Sequence, residues 1–386
     1  MKSKFTLAAA LLLSVSAYAQ QSVTTGGQRY SLLIEGTGAW CQHCSDGAVY
    51  VGKVLAATPK AIAMSEHNSD GMSFADGNTI DAALNNGWPW GSIDMAFLGT
   101  GTGSDTFISI NRGYWQSLIT PRLALAPDYD LTMTHTYNNA TRTLTVTLTG
   151  KALKAFTGTM NANVYLTEDS VVGPAGNNYS QTNSSVYNND PTHPLYHKNN
   201  NSANTKIDGF AHMQVLRTMM GGPWGTSAAT NPAVNATFTK TFTYVIPAQY
   251  DVLNVKLDKL KLVGVVQKTV TGTINYQKYP EIVASVQAKV WPHGTGVPTV
   301  SNFSEIEMFP NPATNMVAVR ALLNTPADVT VTITNALGQV AYNKTYPKGG
   351  SFFAESISLD NMSNGIYVVN IASQGHSSSE KLVVNK

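Results

Sequence analysis

Alternation of apolar residues with threonines most limits what this chain can form. Leu144, Val146 and Leu148 are separated by two threonines, a period of two residues. Successive side chains of a β-strand point to opposite faces of its sheet, so this pattern predicts a strand with one buried and one wet face. The run Leu131–Tyr137 precedes it across the polar connection 138–141, which predicts a β-hairpin.

Further runs of the same kind predict an all-β domain over 127–295, which we expect to be a sandwich. These runs are Val164–Leu166, Thr237–Val245, Leu260–Val266 and Ile282–Val290. A polar stretch rich in Asn, Ser and Tyr interrupts them at Gly176–Asn204. It is too long for a simple turn, so it is either a functional loop or a mobile one.

Residues 20–126 carry mixed signals. Strand-like runs occur at 30–35, 60–65 and 92–98, and helix-like segments occur at 46–57 and 79–85. Strands that alternate with short helices predict an α/β or α+β sheet.

The first 19 residues have the features of a secretory signal peptide. Lys2 and Lys4 precede the apolar run Phe5–Val15, and Ala17-Tyr18-Ala19 has the small-x-small pattern of a cleavage site. The run is shorter than the roughly 20 residues of a membrane-spanning helix. We expect export of the chain; the alternative is an uncleaved N-terminal anchor.

Charge balance argues against nucleic acid as a partner. The chain has 25 basic and 23 acidic residues, and loss of Lys2 and Lys4 would leave 23 of each. Nucleic-acid-binding proteins usually carry a basic stripe, and this sequence has none.

Two cysteines stand close together in Cys41-Gln42-His43-Cys44. They follow a strand-like run and a glycine-containing turn, so the pattern predicts Cys41 at the N-terminus of a helix. Unpaired N–H groups and the positive helix dipole stabilise a thiolate there. Cys41 would attack a partner's disulfide and Cys44 would resolve the mixed disulfide. A cationic His43 would favour the thiolate further and make the pair more oxidising.

Two other interpretations of this spacing stay open. Zinc sites also use Cys-x-x-Cys, and His43 and His67 are the candidates to complete one, although the sequence has no second cysteine pair. A purely structural disulfide is the other alternative. We predict neither a metal nor a cofactor.

The segment Trp40-Cys41-Gln42-His43-Cys44 after an apolar strand resembles the active-site motif of the thioredoxin superfamily. That resemblance implies a cis-proline facing the cysteines, and Pro89, in Gly87-Trp88-Pro89, occupies the matching position. The ordinary alternative is a turn proline.

Five motifs occur in order between residues 28 and 292: Trp40–Cys44, His67–Asp70, Gly87–Pro89, His212–Arg217 with Trp224-Gly225, and Leu262–Gln267. With these motifs the chain resembles the twenty-eight-kilodalton outer membrane protein family of Bacteroidetes-type bacteria. The resemblance implies a thioredoxin-like domain joined to a β-sandwich. His67 and Asp70 would tune the thiol or shuttle a proton there, or would only cap a loop.

The C-terminal 80 or so residues resemble the sorting domain of type IX secretion cargo. The matching segments are Phe309–Ala313, Thr332–Val340, Gly365–Val369 and Lys381–Lys386. This resemblance implies the type IX secretion machinery as a partner, and either attachment to surface lipopolysaccharide or release.

Together these patterns predict the fold class α+β. The expected domains are a signal peptide (1–19), a thioredoxin-like domain (20–126), a β-sandwich (127–295), a linker (296–304) and an immunoglobulin-like sorting sandwich (305–386). We expect an exported surface protein that exchanges disulfides with protein substrates through Cys41 and Cys44. Trp40, Gln42, His43, Pro89, His67 and Asp70 would support them. The alternative is a non-enzymatic adhesin or binding protein with a structural disulfide.

Overall fold

The computed structural model describes residues 21–98, 108–176, 178–190, 193–196, 205–269, 280–290, 303–323, 326–347, 352–374 and 376–386. The predicted signal peptide and most of the predicted linker lie outside the described residues. The described residues divide into two compact units. The first comprises those within 1–51 and 60–292, and the second those within 52–59 and 293–386.

Strands dominate both units. The described residues contain three α-helices, α1 (Cys44–Ala57), α2 (Ala75–Leu84) and α3 (Trp115–Ala124). None of these three is long and apolar enough to cross a membrane. The strands of the first unit are β1 (Gln21–Thr24), β2 (Ser31–Thr37), β3 (Ala61–His67), β4 (Trp90–Ile93), β5 (Tyr129–Asn138), β6 (Thr143–Ala152), β7 (Thr159–Glu168), β8 (Gln181–Asn183), β9 (Thr205–Ile207), β10 (Val215–Met219), β11 (Thr226–Thr230), β12 (Thr237–Val245), β13 (Gln249–Tyr250), β14 (Leu253–Asn254), β15 (Leu260–Lys268) and β16 (Ile282–Lys289).

The alternating threonine segment lies in a four-stranded antiparallel sheet with the order β1-β5-β6-β12. Leu144, Val146 and Leu148 of β6 are fully buried, and the threonines between them lie on the wetter face. The buried face packs against side chains of β7, β15 and β16, among them Val164 and Leu262. The predicted hairpin and the packing of two β layers are therefore present.

The second layer is a larger sheet with the order β16-β15-β7-β10-β3-β2-β4, and β11 also pairs with β7. β2 pairs with β3 in parallel, and β3 with β10 in parallel, whereas the other pairs are antiparallel. At the β3–β10 junction the Ser65 N–H donates to the Gln214 carbonyl at 2.8 Å. A core that includes Ile34, Met64 and Ile80 of α2 lies beside this sheet.

The predicted α+β fold class, with a separate thioredoxin-like domain, is wrong. Strands form 48% of the described residues, and helices are few among them. β2, β3 and β4 form one sheet with β7, β10, β15 and β16, although the sequence patterns assigned these two groups to different domains. The physical reason lies in β15, where Leu260–Gln267 is buried along its whole length. Such a strand needs cover on both faces. Leu262 packs in the core shared with the four-stranded sheet, and Val263 and Val265 pack in the core that includes Ile80 of α2.

The second unit is a β-sandwich. Its strands are β17 (Phe303–Phe309), β18 (Met316–Leu323), β19 (Val329–Asn335), β20 (Val340–Tyr346), β21 (Phe352–Ser358), β22 (Gly365–Ser373) and β23 (His376–Val384). They form two sheets with the orders β17-β18-β21 and β20-β19-β22-β23. Alternating residues such as Val319, Val331 and Val369 meet in one apolar core, as the sequence pattern predicts for this region.

Candidate functional site

Cys41 and Cys44 form a disulfide in the turn that joins β2 to α1, with 5.3 Å between their Cα atoms. The helix begins at Cys44, so Cys41 precedes its first turn rather than lying inside it. The side chains of the pair are almost covered, because Cys41 is 5% exposed and Cys44 is 1% exposed. Any exchange reaction must therefore reach Cys41 through a narrow opening or after a local movement.

Two tryptophans lie beside the pair. Trp40 is 41% exposed, and its ring meets that of Trp88 edge to face, with 5.1 Å between centroids. The Trp40 indole N–H donates to the Asn68 carbonyl at 2.8 Å. The peptide bond between Trp88 and Pro89 is cis, and a Cβ built on Gly47 of α1 would lie 3.0 Å from the Pro89 Cβ. Pro89 therefore packs against the helix that carries Cys44.

Glu35 is a buried carboxyl group of this region that the sequence reasoning did not select. It lies on β2 with 2% of its surface exposed, and the Ser65 hydroxyl donates to its Oε2 at 2.8 Å. Among the described residues no group donates to Oε1, which lies 2.5 Å from the position of a Cβ on Gly47. The available signal was an acidic residue at the end of the apolar run Leu32–Ile34.

Burial governs the ionisation of Glu35. It raises the pKa of Glu35 from 4.5 to about 8, although the hydrogen bond from Ser65 and the charge of Arg112 act in the opposite direction. Gly47 follows Cys44 by three residues, so both lie on the same side of α1. The Glu35 carboxyl group is thus largely protonated at neutral pH and lies against α1 at Gly47, the residue about one helical turn after Cys44.

His43 does not have the cationic character that the sequence suggested. Its Nδ1 lies 3.0 Å from the Tyr187 hydroxyl. Burial lowers the pKa of His43 and the nearby Arg112 lowers it further, whereas Asp46 raises it. At neutral pH the ring is therefore uncharged, and the predicted stabilisation of a Cys41 thiolate by a His43 cation lacks support.

His67 and Asp70 form a buried pair next to the turn. The His67 Nδ1 lies 2.7 Å from the Asp70 Oδ2, and the same oxygen accepts the Ala39 N–H at 2.8 Å. Asp70 Oδ1 accepts the Met72 N–H at 2.8 Å. Burial raises the pKa of Asp70, but His67 and these N–H donors outweigh it and hold the pKa below its usual range. Asp70 thus stays charged and fixes the residue two positions before Cys41.

A segment of the predicted polar stretch lies over the cysteine turn, and we call its residues 178–190 the strap. The Thr182 N–H donates to the Ala39 carbonyl at 2.7 Å, and the Ser184 N–H donates to the Gln42 carbonyl at 3.0 Å. The Gln181 side-chain amide donates to the Cys41 carbonyl at 2.9 Å. The sequence predicted a long polar loop but not where it lies.

The strap also contacts the start of α1 through side chains. The Ser45 hydroxyl donates to Asn183 Oδ1 at 2.7 Å. Tyr187, which lies beside His43, stacks on His193 with 4.7 Å between ring centroids. His193 Nε2 in turn lies 3.0 Å from an oxygen of Asp46. The predicted residues Trp40, Gln42, His43 and Pro89 therefore surround the disulfide, together with Asn183 and Tyr187, which the sequence did not indicate.

The zinc alternative receives no geometric support. Both sulfurs are joined in the disulfide, so neither offers a thiolate ligand in this form. Within the described part of the chain, no three His, Cys, Asp or Glu side chains come together in a way that could hold a metal ion. His67 instead pairs with Asp70 and lies edge to face with His212, with 5.1 Å between centroids.

Comparison with known proteins identifies the C-terminal region. A model of the family described as the secretion system C-terminal sorting domain matches residues 307–385. No curated protein matches the chain. The predicted sorting domain is therefore confirmed, and with it export to the cell surface or beyond. The domain also implies an interaction with the type IX secretion machinery.

Solved structures show only distant similarity. The BSP domain of a biofilm-associated protein is 9% identical with a TM-score of 0.20, and the match covers 69% of this chain and 62% of that one. A putative beta-galactosidase from Bacteroides fragilis is 11% identical with a TM-score of 0.17, and the match covers 68% of this chain and 33% of that one. The chain thus spans less than two thirds of either protein, and scores this low support no inference about it.

Proposed function

We propose that this exported protein exchanges disulfides with thiols of partner proteins through Cys41 and Cys44. The observation that carries the proposal is Glu35, a buried carboxyl group with a pKa of about 8 that lies against Gly47 in the helix of Cys44. Burying such a group without a donor at Oε1 is costly. Its place against the helix that begins at Cys44, which Glu66 does not share, suits a sulfur that must gain and lose a proton.

The proposed reaction starts from the oxidised form. A partner thiolate attacks the Cys41 Sγ and forms a mixed disulfide, while the Cys41–Cys44 bond breaks and Cys44 leaves with the electron pair. Protonated Glu35 gives its proton to the Cys44 thiolate. A second partner thiolate then attacks the partner sulfur of the mixed disulfide, which releases Cys41 as a thiolate. The partner gains a disulfide and the protein becomes a dithiol.

The supporting residues have distinct roles in this proposal. Trp40, which is 41% exposed, offers an apolar surface to the partner, while the buried Pro89 packs against α1. Gln42 holds the strap through its carbonyl group. Asp70 and His67 hold the turn before Cys41. His43 contributes as a neutral hydrogen-bonding group.

The test is recovery of activity by reduced, unfolded ribonuclease, whose thiolates can attack the oxidised pair, together with the reduction potential of the pair. Replacement of Cys41 by alanine should abolish recovery. Glu35→Gln should slow it about 100-fold, because a group of this kind supplies about 10²–10⁴ in rate, and should remove the pH dependence near 8. Glu66→Gln is the matched control. Glu66 is also fully buried with a pKa of about 8, but it lies against Gly77 of α2.

The second candidate is a binding protein with a structural disulfide, and the low exposure of Cys41 and Cys44 favours it. A wild-type protein with no turnover, whose disulfide is reduced only when the protein unfolds, would establish this candidate and end the proposal of exchange.

Kinship with the twenty-eight-kilodalton outer membrane protein family is part of the proposal and rests on the order of the sequence motifs. The domain boundaries at residues 295 and 305 and attachment to surface lipopolysaccharide also stay predictions. Cell fractionation with a probe for lipopolysaccharide tests the attachment.

A further inference from the structure

We infer that the strap gates the disulfide, so that a thiol reaches Cys41 only when residues 178–190 lift away from the cysteine turn. This inference rests on the proposed function for its biological meaning. The inference itself concerns the equilibrium between a closed and an open strap, which can be measured from the reduction rate of the disulfide alone.

Main-chain contacts are the first argument. The strap N–H groups of Thr182 and Ser184 donate to the carbonyls of Ala39 and Gln42, on either side of Cys41. Alternate residues of an extended segment thus pair with the turn as an added strand would. The main chain of an approaching partner cannot use these carbonyls while the strap holds them.

Side-chain contacts are the second argument. Gln181 is almost fully buried, and its amide donates to the Cys41 carbonyl at 2.9 Å. Asn183 accepts the Ser45 hydroxyl, and Tyr187 meets His43. We call these three side chains anchors. Gln181 reaches Cys41, Asn183 reaches Ser45, which follows Cys44, and Tyr187 reaches His43. These contacts tie the middle of the strap to the turn that must react, whereas Tyr179 ties its start to Gly71 and Asp251.

The strap is a separate local element. β8, at its centre, pairs only with the three-residue β9 among the described strands and does not join the central sheet. Small elements with few strand partners open more readily than the sheet beneath them. Opening of the strap can therefore occur while β2 and β3, which pair along seven residues, stay closed.

The test uses the full chain and dithiothreitol, a small dithiol that needs no recognition surface. One thiolate of the reagent attacks the Cys41 Sγ and displaces Cys44, which takes a proton. The second thiolate of the reagent then attacks the reagent's own sulfur in the mixed disulfide, closes the reagent into a cyclic disulfide and releases Cys41. Alkylation and intact mass give the rate of this reduction.

Gln181→Met and Tyr187→Phe each remove one anchor with little change in volume. If the open form is a minor state, loss of an anchor raises its population, and with it the reduction rate, by about 5–30-fold. Val186→Ala is the matched control on the same strap, because the Val186 side chain is 52% exposed. It should leave the rate unchanged.

Amide hydrogen exchange tests whether a faster reduction of the disulfide results from opening of the strap. The Thr182 and Ser184 amides should exchange faster in the two anchor variants by the same factor as the reduction rate, relative to β2 amides in the same sample. Equal reduction rates in wild type and variants would overturn gating, and so would faster reduction without faster strap exchange. Failure of ribonuclease recovery alone would remove the proposed function and leave the gate standing.

Discussion

Gly47→Ala should destabilise this protein, although the same change stabilises most helices. Alanine is favoured over glycine inside a helix by about 0.8–1.0 kcal/mol. At Gly47, however, the new Cβ would lie 2.5 Å from Glu35 Oε1 and 3.0 Å from the Pro89 Cβ. The Glu35 carboxyl group is buried and hydrogen-bonded to Ser65, and the proline ring is rigid, so neither neighbour can move freely.

The magnitude follows from comparing two opposed terms. Overpacking of a well-packed interior costs about 1–3 kcal/mol, which exceeds the gain in helix propensity in most of that range. We therefore expect the free energy of unfolding to fall by about 1–2 kcal/mol. For a unit of this size, such a loss lowers the melting temperature by about 2–8 °C.

Gly52→Ala on the same helix is the control. No atom lies within 4 Å of a Cβ built on Gly52, so this variant should gain about 0.5–1 kcal/mol. Scanning calorimetry of the full chain measures both variants under the same conditions. A Gly47→Ala protein that is as stable as Gly52→Ala would refute the close packing of α1, Glu35 and Pro89.

Three further predictions concern the same region. Glu35 has its pKa raised from 4.5 to about 8, so its contribution to stability is fully present below pH 4.5 and is lost as pH rises to about 8. Unfolding curves should show wild type losing about 1.4 kcal/mol per pH unit relative to Glu35→Gln within this window, and parallel curves would contradict the assignment. Asp70 has a lowered pKa, so its stabilisation is present above about pH 4 and is lost as the pH falls further. Asp70→Asn should therefore be less stable than wild type by about 2–4 kcal/mol at pH 7, because it loses a buried, charged hydrogen-bond acceptor. Urea unfolding measures this difference, which should shrink in acid. In the same assay, a variant with alanine at both Cys41 and Cys44 should lose about 2 kcal/mol of unfolding free energy, because the disulfide closes a very short loop. A loss above about 5 kcal/mol would show that the disulfide stabilises more than this turn.

Local sequence patterns correctly predicted features that depend only on residues close together in the chain. The alternation around Val146 predicted a strand and a hairpin, because period-two burial is a property of neighbouring residues. The C-terminal motifs predicted the sorting domain because each motif also consists of neighbouring residues. The run Leu260–Val266 is correctly predicted as a strand, but its pattern says nothing about which sheet it joins.

The candidate site was only partly visible in the sequence. Cys41, Cys44 and Pro89 are marked by residue type and spacing, and the structure brings Pro89 against the helix of Cys44. The strap is separated from the cysteines by about 140 residues, and Gln181 and Tyr187 have no pattern that ties them to Cys41. Contacts between such distant segments depend on how the whole chain packs.

By itself the sequence determined the β character of most segments, the close cysteine pair and the signal for export, because each of these depends on residues that lie near one another in the chain. Only the tertiary structure decided that the predicted domains share a sheet, that Glu35 carries a raised pKa and that a polar strap is hydrogen-bonded to the cysteine turn. Burial and charge depend on what surrounds a residue in space, and those surroundings come from segments far away in the chain.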